Sequence, residues 1–540
     1  MHRDLTRLAD RAFDVLVVGG GIHGLAAAYD AASRGLSVAL VERGDFGSGS
    51  SFNHLKTVHG GLRYLQTGDL KRMRESIVER RTLARIAPHL LTPLPFLMPT
   101  YRKLTRSRMA MRAAFLADGV IGRDRNAGVV PRLHLPTGRT VARAECLRLF
   151  PDVRRQGLTG GAIWYDYQMR NTERLTLAFA LAADRAGACL ANYAEARSAL
   201  REGTRVTGAR VHDALSGREF DIRARVTLNV AGAGAGRFME AFGASRPFPL
   251  LKAMNLVTRR TMSGPALASS TDDGRMLFIV PWEGRLVAGT SHSLSPCGPE
   301  STGVSEQELA AFIDEVNQAF PSLHLQTDDI TLVHRGVVPA AHNRRGELGL
   351  EGHFRIRDHA HDGIEGAVSL VGVKYTTGRG VAAEAVDAVA RKLGDRGRTR
   401  TAETPLPGGK GPDIGDLFEE LRRAAPGVEA DVARQLVGTY GAEYEAVLRL
   451  AVECPVLGRR IAEGVAVIGA QVVHALREEM ACTLTDVVTR RTPLGGGGYP
   501  GRWVAERCAA IMAGELVWSQ ARVEQEEAAL EAFYAPVRVL

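Results

Sequence analysis

Cysteine is scarce in this chain: six among 540 residues, at Cys146, Cys189, Cys297, Cys454, Cys482 and Cys508. No two stand as C-x-x-C and no His/Cys cluster has zinc spacing, so neither a disulfide framework nor a metal site is expected. Reduced thiols are the rule in the cytoplasm. Apolar runs are short, none approaching the ~20 residues of a membrane-spanning helix. The start, Met1-His2-Arg3-Asp4, lacks the apolar core of an export signal. Export and integral insertion are therefore not expected; a cytoplasmic location, or a peripheral one on the inner face of the cell membrane, is. Aromatics make up 6% of the chain. No basic stripe interleaved with aromatics offers a surface for stacking bases, so nucleic acid is not an expected partner. Internal repeats, low-complexity segments and polybasic tails are missing as well.

A chain of 540 residues is too long for one core, so two or three domains are expected. The net charge of +9 suits anionic lipid or a phosphorylated substrate. Residues 69–86 carry apolar positions at helical spacing. Pro88, Pro93, Pro95 and Pro99 then force extended chain. Residues 101–125 are basic and interleaved with Met109, Met111, Phe115, Leu116, Val120 and Ile121. They read either as a helix lying on anionic lipid or as a core-facing helix with a solvated basic face. Residues 171–185 read as another helix, and 250–340 alternate as an antiparallel sheet does. Residues 404–412 are a linker by composition, and 413–540 are mostly helical, with helices at 432–436, 444–451, 472–489 and 503–513.

The most informative stretch lies near the start. An apolar, β-branched run at 13–18 meets Gly19-Gly20-Gly21-Ile22-His23-Gly24, an alanine-rich helical stretch follows, and a second apolar strand at 37–41 ends on Glu42. Strand, G-x-G-x-x-G, helix, strand and acid in this order make a dinucleotide-binding unit. Gly19 allows the tight turn, Gly21 admits a pyrophosphate to the backbone, and Gly24 lets helix and strand pack closely. The helix N-terminus, with Ile22 and His23, offers N–H donors to phosphate, and Glu42 accepts from ribose hydroxyls.

Residues 48–65, which follow, supply hydroxyls, Lys56, His59 and the pair Gly60-Gly61, where an NAD domain continues with a plain helix and strand. Such a loop lies along an extended cofactor and favours FAD. Here the chain resembles the FAD-dependent glycerol-3-phosphate dehydrogenases and α-glycerophosphate oxidases. The motifs are the glycine loop, Leu55-Lys56, His59-Gly60-Gly61-Leu62-Arg63-Tyr64-Leu65 and Ala87-Pro88-His89-Leu90. Further on they are Asn229-Val230-Ala231-Gly232, Ile279-Val280-Pro281-Trp282, Gly289-Thr290-Ser291, Gly372 with Lys374 and Thr376-Thr377, Pro407-Gly408-Gly409, and Glu479, Ala481, Asp486, Arg490 and Arg491. They span nearly the whole chain, and the H-G-G-L-R-Y-L run is the most specific.

The resemblance implies an α/β fold: a discontinuous Rossmann-like FAD-binding domain (about 10–65, 150–235 and 340–395), an antiparallel-sheet substrate domain (about 66–149 and 240–339), a linker at 401–412 and a helical C-terminal domain at 413–540. It implies oxidation of sn-glycerol 3-phosphate to dihydroxyacetone phosphate, with electrons passing to quinone or oxygen, and it is compatible with a homodimer. Hydride transfer is the cofactor's chemistry. The protein must hold the phosphate, which arginine does best. Arg63 is the first candidate for this, with Tyr64 and Arg357 beside the substrate; a structural ion pair is the alternative for Arg63. Lys374 steadies the charge of the reduced ring, or is a surface lysine. His59 stands near the ring, or is a hydrogen-bonded core residue. Ser50, Ser51 and Lys56 are expected FAD contacts rather than solvated loop polarity, together with Arg43, Gly61, Leu62, Ala231, Gly232, Tyr375 and Thr376.

Three departures bear on the substrate. The family carries an arginine in a Gly-Val-Arg-Pro turn, which here reads Gly336-Val337-Val338-Pro339; Arg335, Arg344 or Arg345 are the nearby substitutes. Its Gly-Thr-Thr-Asp becomes Gly289-Thr290-Ser291-His292, and Phe52, Asn53 and His54 replace part of a serine-rich run. A flavoenzyme acting on another α-hydroxy or amino compound, a non-catalytic FAD-binding protein using its helical tail, and a basic nucleic-acid-binding flavoprotein are the other readings.

Overall fold

The computed structural model describes the chain apart from residues 67, 103–106, 152, 246–247, 272–274, 344–345, 395–396 and 536–540. Two sheets carry the architecture. In the first, the β-branched strand Ala12–Val18 lies between Val38–Val41 and Glu219–Asn229, parallel to both. Outward from these lie Cys189–Ala191 on one side and Ala367–Val371 with the edge strand Arg355–Asp358 on the other. Parallel strands buried on both faces read as unbroken apolar runs, which is how 13–18 looks in sequence. The helix Ile22–Ser33 covers one face. Its buried Ala26, Ala27, Ala28 and Ala31 let the helices Thr172–Arg185 and Gly378–Lys392 pack closely beside it.

The second sheet is ten-stranded and largely antiparallel. Its long strands are Leu250–Thr261, Arg285–His292, Met276–Trp282 and Ile330–His342, as the alternation in 250–340 predicts. The strand Leu91–Tyr101 contains Pro93, Pro95 and Pro99 and pairs in antiparallel register with Leu158–Met169. That pairing corrects the expected boundary at 150: Leu158–Met169 and Thr57–Val58 belong to the second sheet, because eleven register pairs to Leu91–Tyr101 outweigh nearness in sequence to the nucleotide domain.

The helical C-terminal region contains Ile414–Ala424, Ala430–Tyr440, Tyr444–Glu453, Gly469–Glu478, Arg502–Leu516 and Gln520–Tyr534. One helix expected over 472–489 is two elements: Gly469–Glu478 ends, Met480 takes φ +54°, and a π-turn follows at Val487–Arg491. The segment 401–412 is not a loose linker. Leu406 and Thr401 are buried, and Gly408 and Gly441 close on His89, where a Cβ would come within 2.9 Å of its ring. Val472, Leu484, Val487 and Val488 pack against Trp282, Val257 and Leu332 of the second sheet in one core. All six cysteines are free thiols, and no helix of the described residues is long and apolar enough to cross a membrane.

Candidate active site

The glycine loop has the geometry its sequence implies. Gly19 takes φ +113°, and a Cβ there would lie 2.6 Å from the Val230 carbonyl oxygen. A Cβ on Gly24 would lie 1.8 Å from the Gly19 carbonyl oxygen, so the helix sits directly on the loop. Gly21 is the N-cap of Ile22–Ser33 and offers no side-chain cap. The Ile22 N–H donates to Ser51 Oγ at 3.0 Å. Glu42 accepts from the backbone N–H groups of Gly20 at 2.6 Å and Gly44 at 2.9 Å, which fixes the loop. Burial raises its pKa against those two donors. Gly232, at φ +56°, has open space where a Cβ would stand, next to Ala231.

The turn after Ala367–Val371 is seated on the same helix. A Cβ on Gly372 would fall within 2.3 Å of the His23 ring, and one on Gly378 within 2.9 Å of Ile22 Cγ1. The N-termini of Ile22–Ser33 and Gly378–Lys392 therefore meet, and both present positive dipole ends. Burial holds His23 neutral, its pKa down to about 4. The intervening turn carries Lys374, Tyr375 and Thr376. Tyr375 shares a hydrogen bond of 2.8 Å with Thr176, and its ring lies 4.6 Å from that of His54.

The H-G-G-L-R-Y-L run then explains itself. Gly60 leaves room for the Arg80 guanidinium, which would lie 2.5 Å from a Cβ there, and Gly61, at φ +78°, for the Tyr64 ring at 2.4 Å. The Gly60 N–H donates to Asp166 at 2.6 Å, and Asp166 also pairs with Arg80. Leu62 packs beside Tyr64, Met73 and Ile77. Over the Tyr64 ring stand three cations: Arg63 at 5.3 Å, Arg72 at 4.4 Å and Lys374 at 5.0 Å from its centroid. His59 is beside them, its backbone N–H donating to Thr376 Oγ1 at 3.3 Å and its ring 6.4 Å from that of Tyr64. Burial first, then Lys374, Arg63, Arg72 and Arg80, hold the His59 pKa well below the imidazole range. Burial followed by Arg72 and Arg63 drives that of Lys374 well below the amine range. Two unit charges ~8 Å apart at an effective dielectric of ~20 repel by roughly 2 kcal/mol. Such a cluster is built to meet an anion.

The remaining sequence candidates fall elsewhere. Lys56 was expected in a loop contacting cofactor, but its ammonium is fully buried. It donates to the Phe52 carbonyl at 2.6 Å and to Glu173 at 2.9 Å and lies against the Phe52 and Trp282 rings. The reason is a partner 117 residues away, which no local pattern announces. Arg357 sits on the edge strand of the first sheet and makes a two-pronged pair with Asp362, so the structure does not join it to the cluster. Arg43 is exposed and paired with Glu300. Ser50 Oγ donates to the Val337 carbonyl at 2.9 Å. Val338 lies on Ile330–His342, and the Arg335 N–H donates to Asn53 Oδ1 at 2.9 Å; Arg344 and Arg345 lie outside the described residues. Sequence reasoning missed Arg72, Ser76 and Glu173. Arg72 and Ser76, four apart on Leu70–Ile86, share one helix face, the signal that could have found them.

The residues present fit FAD. Gly21 and Gly232 leave space beside two helix N-termini, Glu42 stands at the second strand, and the cation cluster lies at the far end of the intervening loop. The chain matches the family described as FAD dependent oxidoreductase over residues 14–388 and the C-terminal domain of alpha-glycerophosphate oxidase over 399–523. It is 31% identical over 509 residues to a glycerol-3-phosphate dehydrogenase of Synechocystis, covering 91% of this chain and 90% of that protein. To the mitochondrial glycerol-3-phosphate dehydrogenase of Mus musculus it is 32% identical over 540 residues, 95% and 72%. The solved glycerol-3-phosphate dehydrogenase of Bacillus halodurans complexed with FAD superposes with a TM-score of 0.76 at 26% identity, covering 98% of this chain and 95% of that one.

Proposed function

The chain belongs to the FAD-dependent glycerol-3-phosphate dehydrogenase family of oxidoreductases, and from that premise we propose that it oxidises sn-glycerol 3-phosphate to dihydroxyacetone phosphate. The observation that carries this reading is the cluster of Arg63, Arg72 and Lys374 around Tyr64, beside His59. A phosphate dianion offsets its charge, and the planar forks of the arginines match phosphate geometry. FAD in the adjoining cradle supplies the two-electron acceptor for the carbinol carbon. His59, neutral in the free site, accepts the hydroxyl proton. Phosphate bound to the same cations offsets the part of the His59 depression that Lys374, Arg63 and Arg72 cause, while the larger part, from burial, remains. Lys374 stands ready for negative charge that develops on the ring.

The helix Arg108–Ile121 bears on the electron acceptor. It buries Met111 and Phe115 but leaves Met109, Leu116 and Val120 exposed at 79%, 74% and 73%. Their spacing of seven and four residues puts them on one face, with the exposed Arg112 and Arg123 alongside. An apolar stripe flanked by arginine suits an anionic membrane surface, which favours quinone over oxygen as acceptor. The deciding experiment is the visible spectrum of the purified holoprotein, recorded anaerobically before and after sn-glycerol 3-phosphate. Bleaching of the flavin bands is expected; bands that persist overturn the substrate assignment.

A further inference from the structure

The helix Leu70–Ile86 brings a third cation, Arg72, to the Tyr64 ring beside Arg63 and Lys374. Resting on the substrate reading above, we propose that Arg72 is a phosphate-binding residue of the active site. On the same helix Arg74 and Arg81 share Asp124, and Arg80 takes Asp166. Among the described residues no carboxylate forms an ion pair with Arg72, Arg63 or Lys374, whereas their neighbours Arg74, Arg80 and Arg81 each have one. The Arg72 guanidinium instead lies 4.4 Å from the Tyr64 centroid. An aromatic face tolerates a desolvated cation, so the site holds Arg72 ready without a counterion.

Ser76 ties the arrangement together. Its hydroxyl donates to the Arg72 carbonyl at 2.7 Å and accepts from Lys374 Nζ at 2.5 Å. One helical turn thereby anchors the lysine of the flavin side to the turn that bears Arg72, against the repulsion of like charges. Three cation centres lie within 5.3 Å of the Tyr64 centroid, so positive charge is concentrated around one ring. The asymmetry also defines the substrate class: a compact terminal phosphate monoester, whose negative charge is concentrated at one end.

Two measurements on the holoenzyme test this. Calorimetric titration with inorganic phosphate, and anaerobic stopped-flow reduction by sn-glycerol 3-phosphate, are run on wild type and Arg72→Leu. Loss of one charged hydrogen-bonding partner is expected to weaken both affinities about 10- to 100-fold, with flavin content retained. Unchanged affinities overturn the assignment of Arg72 while leaving the substrate reading intact. If wild type is not reduced by sn-glycerol 3-phosphate yet Arg72→Leu loses phosphate, the substrate reading fails and Arg72 stands. Should the variant not retain flavin, phosphate protection of Arg72 in the wild-type holoenzyme decides. Arginine modification by phenylglyoxal, mapped by peptide mass, is expected at Arg72 and blocked by phosphate; modification that phosphate does not slow overturns the proposal.

Discussion

Asp45 offers the sharpest test of what the helical C-terminal region does. It lies three residues after Glu42, in the loop that fixes the glycine turn. Its carboxylate receives Arg490 Nε at 2.6 Å, both terminal nitrogens of Arg491 at 2.8 and 2.7 Å, and Asn192 Nδ2 at 3.0 Å. Consecutive residues of an α-helix point ~100° apart; the π-turn Val487–Arg491 brings two neighbouring arginines to one carboxylate. Burial works against charge on Asp45, and the two guanidiniums outweigh it, holding its pKa far below the carboxylate range. Its contribution is therefore present above the unfolded pKa and lost only in strong acid. Asp45→Asn keeps shape and leaves Arg490 with Asp486 and the Thr489 hydroxyl and Arg491 with a carbonyl, that of Glu479. Removing one member of a buried ion cluster costs about 3–5 kcal/mol, which for domains of this size lowers the melting temperature by roughly 10 °C. Because the same loop holds Gly20 through Glu42, flavin release should accompany that transition. Flavin fluorescence and far-UV circular dichroism followed through one melt read both. The control is Glu443→Gln, which breaks an exposed pair with Arg185 across the same domain seam and should cost under ~1 kcal/mol. Wild-type melting and full flavin in Asp45→Asn refute the view that the C-terminal region clamps the cofactor loop.

Other substitutions separate cofactor space from fold. A Cβ on Gly21 meets only Ser51 Oγ, at 3.1 Å, so Gly21→Val should give a folded, flavin-free protein; a fully yellow one refutes the loop assignment. On Gly24 the Cβ meets backbone at 1.8 Å, so Gly24→Ala should lower the melting point of the apoprotein itself, by the 1–3 kcal/mol or more of overpacking; an unshifted apoprotein melt counts against that close approach. Glu173→Gln strands the buried Lys56 ammonium and should cost about 3–5 kcal/mol, whereas Glu173→Gln with Lys56→Met should recover most of it; urea midpoints that ignore both changes would show the pair to be idle. Burial, aided by Arg174 and Arg132, takes the His89 pKa down to about 3, and burial with Lys56 and His54 holds His334 well below 6.5. A depressed imidazole favours the fold above its unfolded pKa, so each should withdraw up to about 1.4 kcal/mol per pH unit below ~6.5. Equal urea midpoints at pH 7 and pH 5 contradict this.

The parts of the fold that could be read from sequence are those whose cause is local. The run 13–18, the glycine loop and the alanine helix each carry a local pattern that names the element, so periodicity and turn chemistry sufficed. Their partners, Glu219–Asn229, Val230 and the helices Thr172–Arg185 and Gly378–Lys392, nevertheless lie far along the chain. The placement of residues 150–235 with the FAD-binding part does not hold for Leu158–Met169, whose place is set by pairing with Leu91–Tyr101, about sixty residues upstream. The break at Glu479 escaped because neither proline nor glycine marks it. Glu479 is buried and pairs with Arg174 at 2.6 Å, so a tertiary ion pair, not a local stop signal, is found where the helix ends.

The cation cluster carries the same lesson into function. Arg63 and Lys374 were legible because they sit in specific motifs, but Arg72 belongs to a helix whose charges look like an ordinary solvated face. What distinguishes it is negative: its neighbours Arg74, Arg80 and Arg81 have carboxylates and it has an aromatic ring. That difference depends on where Asp124 and Asp166 stand in space and is invisible in one dimension. The departure at Val338 is legible in sequence; the placement of Arg72 beside the Tyr64 ring is not. A phosphate dianion responds to summed charge and fork geometry rather than to the strand or helix that delivers them.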